Sequence, residues 1–233
     1  MNLFYLPIID GNNLALNDEE SRHCVNVLRL RSGDILHLTD GLGNLFEASV
    51  KDPNPKRCTV TVISILKEYE KRDESLHIAI APTKNSARFE WFLEKATEIG
   101  IDKITPLICK HSERVQIRIQ RLEKVLIAAM KQALKAYLPI LEEPVKFDQF
   151  IRQPFNGQKF IASCDPGEAT LLTSTYIKGS YALILIGPEG DFSKEEIQDA
   201  KKSGFTPISL GKSRLRTETA GIVTCTVINF MNQ

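Results

Sequence analysis

YALILIGPEGDFSKEE, residues 181–196, is the stretch on which the fold reading turns. Residues 181–186 are largely apolar with no alternation, as in a strand buried on both faces. Gly187-Pro188-Glu189-Gly190 then turns the chain. Ser193 followed three residues later by Glu196 is the capping-box pattern that starts a helix. The turn falls at a strand's carboxyl end, where open α/β sheets hold their ligands, and its glycines let a ligand approach the backbone. The glycine spacing is neither GxGxxG nor a P-loop, and no Gly-Lys-Ser/Thr follows. The plain alternative is an ordinary tight turn between a strand and a helix.

The same form recurs downstream. TPISL (206–210) reads as a strand and LGKSRLRTETAG (210–221) as a glycine-led basic loop. ETAGIVTCTVINFM (218–231) reads as a last helix. Lys212, Arg214 and Arg216 crowd that helix's N-terminus, where the dipole disfavours cations. Such a cluster points to an anionic group nearby, or to side chains reaching into solvent. Glu218 suits the dipole, but Thr217 followed by Ala220 is not a capping box. The two loops, after 186 and after 210, are expected on neighbouring strands.

Outward from here the rhythm is regular. LHIAIAP (76–82), DKITPLIC (102–109) and KFIASC (159–164) read as strands. SARFEWFLEKATEIG (86–100) aligns Phe89, Phe92, Leu93, Ala96 and Ile99 on one helical stripe ended by Gly100, and SKEEIQDAKKSG (193–204) is another helix. IRIQRLEKVLIAAMKQALKAY (117–137) reads as one long helix ended by Pro139. Strands alternating with helices predict a mostly parallel α/β sheet covered on both faces. The first 70 residues differ. LFYLPI, LALN, DILHLTD, LFEASV and CTVTVISIL are short strands between the turn signals DGN, DGLGN and DPNP, with one helix over SRHCVNVLRL. They predict a compact β-barrel. The polar segment 67–75 is a linker, dividing the chain into domains 1–70 and 74–233.

Composition excludes several classes. The chain has 233 residues, 42% hydrophobic and 25% charged, with a net charge of +1 and so no global bias toward a polyanion. No apolar run approaches the ~20 residues of a membrane span, and the N-terminus lacks a signal-peptide pattern. Five scattered cysteines without a CxxC pair, and four scattered histidines, argue for reduced thiols in a cytoplasm and no metal site. Charge is nevertheless uneven. Residues 1–70 hold 7 Lys and Arg against 10 Asp and Glu. Residues 103–135 hold 8 basic residues against Glu113 and Glu123, which makes them either a phosphate-binding face or a solvated helix.

GPEGDFSKEE and LGKSRLRTETA, with KNSARFEWFLEKATEIGIDKITPL and KQALKAYLP upstream and SRHCVNVLRLRSGD near the start, resemble the ribosomal small subunit methyltransferase E family. That family belongs to the SPOUT superfamily of knotted methyltransferases, and the resemblance spans nearly the whole chain. It implies an N-terminal PUA-like β-barrel and a C-terminal α/β domain with a deep trefoil knot. It implies transfer of a methyl group from S-adenosylmethionine to N3 of one uridine in the decoding region of 16S rRNA, with the small ribosomal subunit as substrate. A homodimer is implied, with the cofactor near the subunit interface.

Carried onto this sequence, the resemblance puts Ile186, Gly187 and Gly190 on one side of the cofactor and Leu210, Gly211 and Leu215 on the other. A third loop would lie near Cys164, Asp165 and Pro166. Arg216, with Arg214 second, would stabilise charge developing on the uracil, since N3 must lose a proton. Glu218 would orient an arginine, accept the proton, or serve only as a helix-start carboxylate. Lys110, Arg114, Arg118, Arg121, Lys131 and Lys135 are candidates to grip RNA, as are Arg22, Arg29, Arg31 and Arg88. The sequence departs from the family pattern at Asp191, where a second glycine is frequent, and at Ser213 and Arg214, where arginine and isoleucine are usual. It departs again at Ala133 and Lys135, where serine and arginine are common. Two other readings stand beside this one: a non-catalytic RNA-binding or assembly protein of the same fold, and a knotted methyltransferase with another RNA target.

Overall fold

The computed structural model describes residues 2–163 and 169–233. The chain divides into two compact units, residues 1–71 with 127–138, and residues 72–126 with 139–233.

The first unit holds strands β1 (Leu3–Tyr5), β2 (Asn13–Ala15), β3 (Ile35–Thr39), β4 (Leu45–Asp52) and β5 (Thr59–Leu66), in the order β1-β3-β4-β5-β2. β3, β4 and β5 are antiparallel, β1 runs parallel to β3, and β2 pairs antiparallel with β5. Among the described residues the edges β1 and β2 do not pair, so the sheet is a PUA-like half-barrel. Alternation places Leu36, Leu38, Ala48, Val50 and Val60 in its core with Phe4, Cys24 and Cys58. The helix expected over 21–30 starts earlier. Helix α1 (Asp18–Arg22) is capped by Asn17, whose side chain accepts from Glu20 N. It passes into a π-helical turn, His23–Val27, and Arg29 leaves in the left-handed region at φ 57°.

The second unit is built on parallel strands β6 (Leu76–Ile80), β7 (Lys103–Ile108), β8 (Ile140–Leu141), β9 (Val145–Lys146), β10 (Gln158–Ala162), β11 (Thr170–Leu171), β12 (Ala182–Ile186) and β13 (Thr206–Ser209). Their order is β11-β13-β10-β12-β6-β7-β8, with β9 beside the end of β7. Helices α2 (Ser86–Ile99), α4 (Phe147–Phe150), α5 (Leu172–Thr175), α6 (Lys194–Lys202) and α7 (Thr217–Asn232) alternate with them, while α3 (Ile119–Gln132) is divided, its residues from 127 onward belonging to the first unit. β6 and β12 are buried along their whole length, as their unbroken apolar runs predict. The apolar stripe of α2 is buried at Phe89, Phe92, Leu93 and Ala96, while Ile99 is half-buried. Gly221 lets α7 approach α2: a β-carbon there would come 2.4 Å from the Phe92 ring.

Two expectations are corrected. The long helix ends at Gln132, well before Pro139. Leu134 takes φ 57°, Lys135 N donates to Met130 O and Leu134 N to Lys131 O, a Schellman closure built on a leucine instead of a glycine. Strands β12 and β13 are also not neighbours, because β10 lies between them. Their carboxyl ends are level, since Ala162 registers with both Ile186 and Ile208. At ~4.8 Å per strand, the two loops therefore start about 10 Å apart.

Candidate functional site at the carboxyl ends of the central strands

The loop after β12 is drawn in by its own residues. Gly187 and Pro188 are buried, Asp191 N donates to Pro188 O, and Phe192 closes over Gly187 so tightly that a β-carbon would meet its ring at 3.1 Å. Asp191 occupies the left-handed region at φ 62°, and its Oδ1 accepts from Phe192 N at 2.8 Å. A glycine suits that conformation best and an aspartate tolerates it, which accounts for this departure from the family pattern. His111 packs beneath Gly190, 3.2 Å from where a β-carbon would sit, and its Nδ1 lies 3.0 Å from Asp191 O. Ser193 then caps α6 with the complete capping box.

The chain leaves β13 through Ser209, whose hydroxyl bonds both the amide and the carbonyl of Gly211. Gly211 has φ 123° and open space around its α-carbon. Leu210 and Leu215 are half-buried, while Lys212, Ser213, Arg214 and Arg216 are exposed. Arg216 is the N-cap of α7 but makes no side-chain capping bond. Thr217, the first helical residue, donates its buried hydroxyl to Gly187 O at 3.0 Å. That bond joins the two loops although their strands are not adjacent. Glu218, next along, is buried and lies 3.7 Å from Arg88 Nε on α2.

A third loop, absent from the expectations, belongs to the same cluster. It follows β6, the neighbour of β12. Lys84 N donates to Glu189 Oε1 at 2.9 Å, and the Arg114 guanidinium donates twice to Lys84 O. The sequence signal for this loop is KNS, residues 84–86, which lies a few residues beyond a buried strand. The expected loop at Cys164, Asp165 and Pro166 lies outside the described residues.

The basic candidates fall in different places. In the second unit, Lys110 pairs with Glu195 and Arg121 with Glu90 through two contacts of 2.8 and 3.0 Å. Arg114 is taken up by Lys84 O, and Arg88 faces Glu218. Arg118 is exposed, with no ion pair among the described residues. In the first unit, Arg22 pairs with Asp18 and Lys131 with Glu20, while Arg29 and Arg31 are exposed and Lys135 is half-buried. The stretch 103–135 is thus split between the units, and much of its charge is met by acids distant in sequence.

Chemically, the loop cluster offers backbone groups of Ile186, Gly187 and Gly211, apolar surface from Leu210 and Leu215, and the uncapped amides of α7. That set fits a nucleoside held by its edges and an apolar slot. Among the described residues, no three His, Cys, Asp or Glu side chains come together as metal ligands. Nor is any helix among them long and apolar enough to cross a membrane.

Comparison with known proteins agrees with this arrangement. Residues 70–229 match the RNA methyltransferase domain model and residues 16–63 the RNA methyltransferase PUA domain model. The ribosomal RNA small subunit methyltransferase E of Buchnera aphidicola is 32% identical over 96% of this chain and 90% of its own length. A probable rRNA methyltransferase from Porphyromonas gingivalis superposes with TM-score 0.93 at 42% identity, covering 100% of this chain and 98% of its own. The Neisseria gonorrhoeae ribosomal RNA small subunit methyltransferase E, bound to S-adenosyl methionine, superposes with TM-score 0.89 at 26% identity, covering 99% and 98%. With its half-barrel, its parallel sheet and these full-length matches, the chain belongs to the ribosomal RNA small subunit methyltransferase E family.

Proposed function

We propose that this protein methylates N3 of one uridine in the decoding region of 16S rRNA, using S-adenosylmethionine and acting on the small ribosomal subunit. The observation that carries the reading is the Thr217 bond to Gly187 O, which draws the GPEG and LRTETA loops into one wall. When bound, S-adenosylmethionine supplies an electrophilic methyl group on sulfur. Ile186, Gly187, Gly190, Leu210, Gly211 and Leu215 would hold it, which fits their backbone-rich and apolar character. The relative solved with S-adenosyl methionine at TM-score 0.89 supports that choice of cofactor.

The chain's own work is positioning and charge stabilisation. Arg216 and Arg214 stand exposed at the lip of the wall, where a guanidinium can meet the negative charge left on uracil O2 or O4 after N3 loses its proton. Glu218 is the third member of this catalytic group. Domain 1–70 would serve as an RNA-binding module and 74–233 as the methyltransferase. Arg22, Arg29, Arg31, Arg88, Lys110, Arg114, Arg118, Arg121, Lys131 and Lys135 are the candidates for RNA contact. Among them Arg118, Arg29 and Arg31 are the least committed to partners within the protein.

The trefoil knot belongs to the same reading. Its support is that the chain leaves β13 on the far side of β10 and returns to pack α7 against α2, β6 and β12. A homodimer is supported by exposed apolar residues on that helix pair, Trp91 at 43% and Phe230 at 75%. A cytoplasmic location accords with Cys24, Cys58 and Cys109 being buried reduced thiols. Mass spectrometry of 16S rRNA nucleosides from a strain lacking the gene tests the function. Loss of 3-methyluridine is expected, and its retention refutes the reading. Failure to bind S-adenosylmethionine in a calorimeter would favour a non-catalytic assembly protein.

A further inference from the structure

Glu218 has a setting that a helix-start carboxylate does not need. It is 6% exposed, its Oε1 lies 3.7 Å from Arg88 Nε, and its Oε2 is buried without a hydrogen-bond partner among the described residues. A buried carboxylate oxygen is costly unless a donor reaches it. The other buried atoms in that condition, Glu20 Oε2 and His37 Nδ1, belong to the half-barrel unit. Among the described residues, Glu218 alone of these stands at the carboxyl ends of the parallel strands.

The helix sets the direction of the side chain. Thr217 points its hydroxyl at Gly187 O, on the wall assigned to the cofactor. Successive residues on an α-helix are turned by about 100°. Glu218 is thereby turned off that wall and toward α2, where Arg88 meets it. Arg88 is the charged group that α2 presents to it. β12 and α5, which also pack on α7, carry no titratable side chain, and His77 of β6 is engaged with Thr105 at 2.8 Å.

We propose that Glu218 Oε2 accepts the proton of uracil N3, and that Arg88 is a positioning residue that holds the other carboxylate oxygen. The proposal rests on the uridine-N3 reading above. The N3–H bond breaks, the proton bonds to Oε2, and the electron pair stays on N3 with its charge spread to O2 and O4. Hydrogen and methyl occupy the same position on N3, so the proton leaves before the methyl group arrives. Afterwards Oε2 carries the proton and faces a methyl group that cannot accept it, which disfavours the product. The carboxylic acid returns its proton to water once the product has left.

Glu218→Gln keeps the shape and removes the base. Methyl transfer to small subunits from cells lacking the gene is followed over a pH series, with calorimetry of S-adenosylmethionine binding to the same variants. At neutral pH the Gln variant is expected to be slower by roughly 10²–10⁴-fold, the usual contribution of a general base. Its cofactor affinity stays at the wild-type value. Its deficit shrinks as pH rises toward the ionisation of uracil N3 itself, which a merely structural role would not produce. Arg88→Gln slows the reaction and Arg88→Lys restores part of it, again without changing cofactor affinity. A Gln variant at wild-type rate, a deficit equal at every pH, or loss of cofactor binding each overturns the proposal. A wild-type product other than 3-methyluridine overturns the parent reading as well, and shows in the control before any variant is compared.

Discussion

Replacing Thr217 by valine removes one oxygen and keeps the branched shape. Helix propensity is nearly unchanged, since threonine and valine rank together, so the α7 start is not independently weakened. What is lost is the 3.0 Å bond from a hydroxyl on a residue only 5% exposed to Gly187 O. A buried acceptor deprived of its donor costs about 1–3 kcal/mol. In a chain of this size that lowers the melting temperature by several degrees, at roughly 2–4 °C per kcal/mol. The second consequence is functional. The bond fixes the loop after β12 relative to α7, so its loss lets the two sides of the cofactor wall separate. If about 1.4 kcal/mol of the cost falls on the bound state, S-adenosylmethionine affinity drops about tenfold. Thermal melting and calorimetry on the same sample read both effects, and Thr217→Ser, which restores the hydroxyl, should recover most of each. A valine variant with wild-type melting and wild-type affinity would refute the claim that this bond builds the site.

Three further outcomes are expected. Arg216→Ala should abolish methyl transfer while leaving the protein folded by circular dichroism, because the exposed Arg216 makes no capping bond for α7; wild-type turnover would remove it from the catalytic group. Charge reversal at Arg118 should weaken RNA binding and flatten its salt dependence by about one unit of slope, whereas Arg121→Ala, already committed to Glu90, should change the slope less. Burial, helped by the charge of Lys103, pushes the His77 imidazole down to about 3. The folded protein therefore binds fewer protons than the unfolded chain between about pH 6.5 and 3, so this contribution is complete above pH 6.5 and is lost as pH falls, by up to about 1.4 kcal/mol per unit. Denaturant titrations from pH 7 to 4.5 should show that slope in the wild type and a reduced one in His77→Gln.

The contrast between what could and could not be read from the sequence follows the range of the interactions. The α2 stripe and the capping box of α6 were legible because a helix writes its pattern within a few residues. Ser193 and Glu196 indeed exchange bonds of 2.8 and 3.2 Å. The position of β10 between β12 and β13 was not legible, because strand order is decided by crossovers that leave no local mark. The basic stretch was misleading for the same reason. Glu90, Glu195 and Glu20 meet Arg121, Lys110 and Lys131 from distant parts of the sequence, and a count of neighbouring acids cannot see them.

LRTETA shows how a local rule can fail at a functional site. As a helix start it looks poorly made, with cations at the positive end of the dipole and no capping side chain, and the structure confirms that Arg216 does not cap. The threonine that could have helped spends its hydroxyl on Gly187 instead. Glu218, the residue type the dipole favours, is buried with one oxygen unmatched among the described residues. The cations and the diverted hydroxyl weaken the helix terminus, the burial of Glu218 costs desolvation, and each serves the loops beside it. A terminus selected only for stability would carry Ser or Asp at the cap and leave its acid in water. The same trade explains Asp191, which holds a left-handed turn that glycine would adopt with less strain. Local rules are broken on both sides of one hydrogen bond, which is where a binding site should be sought.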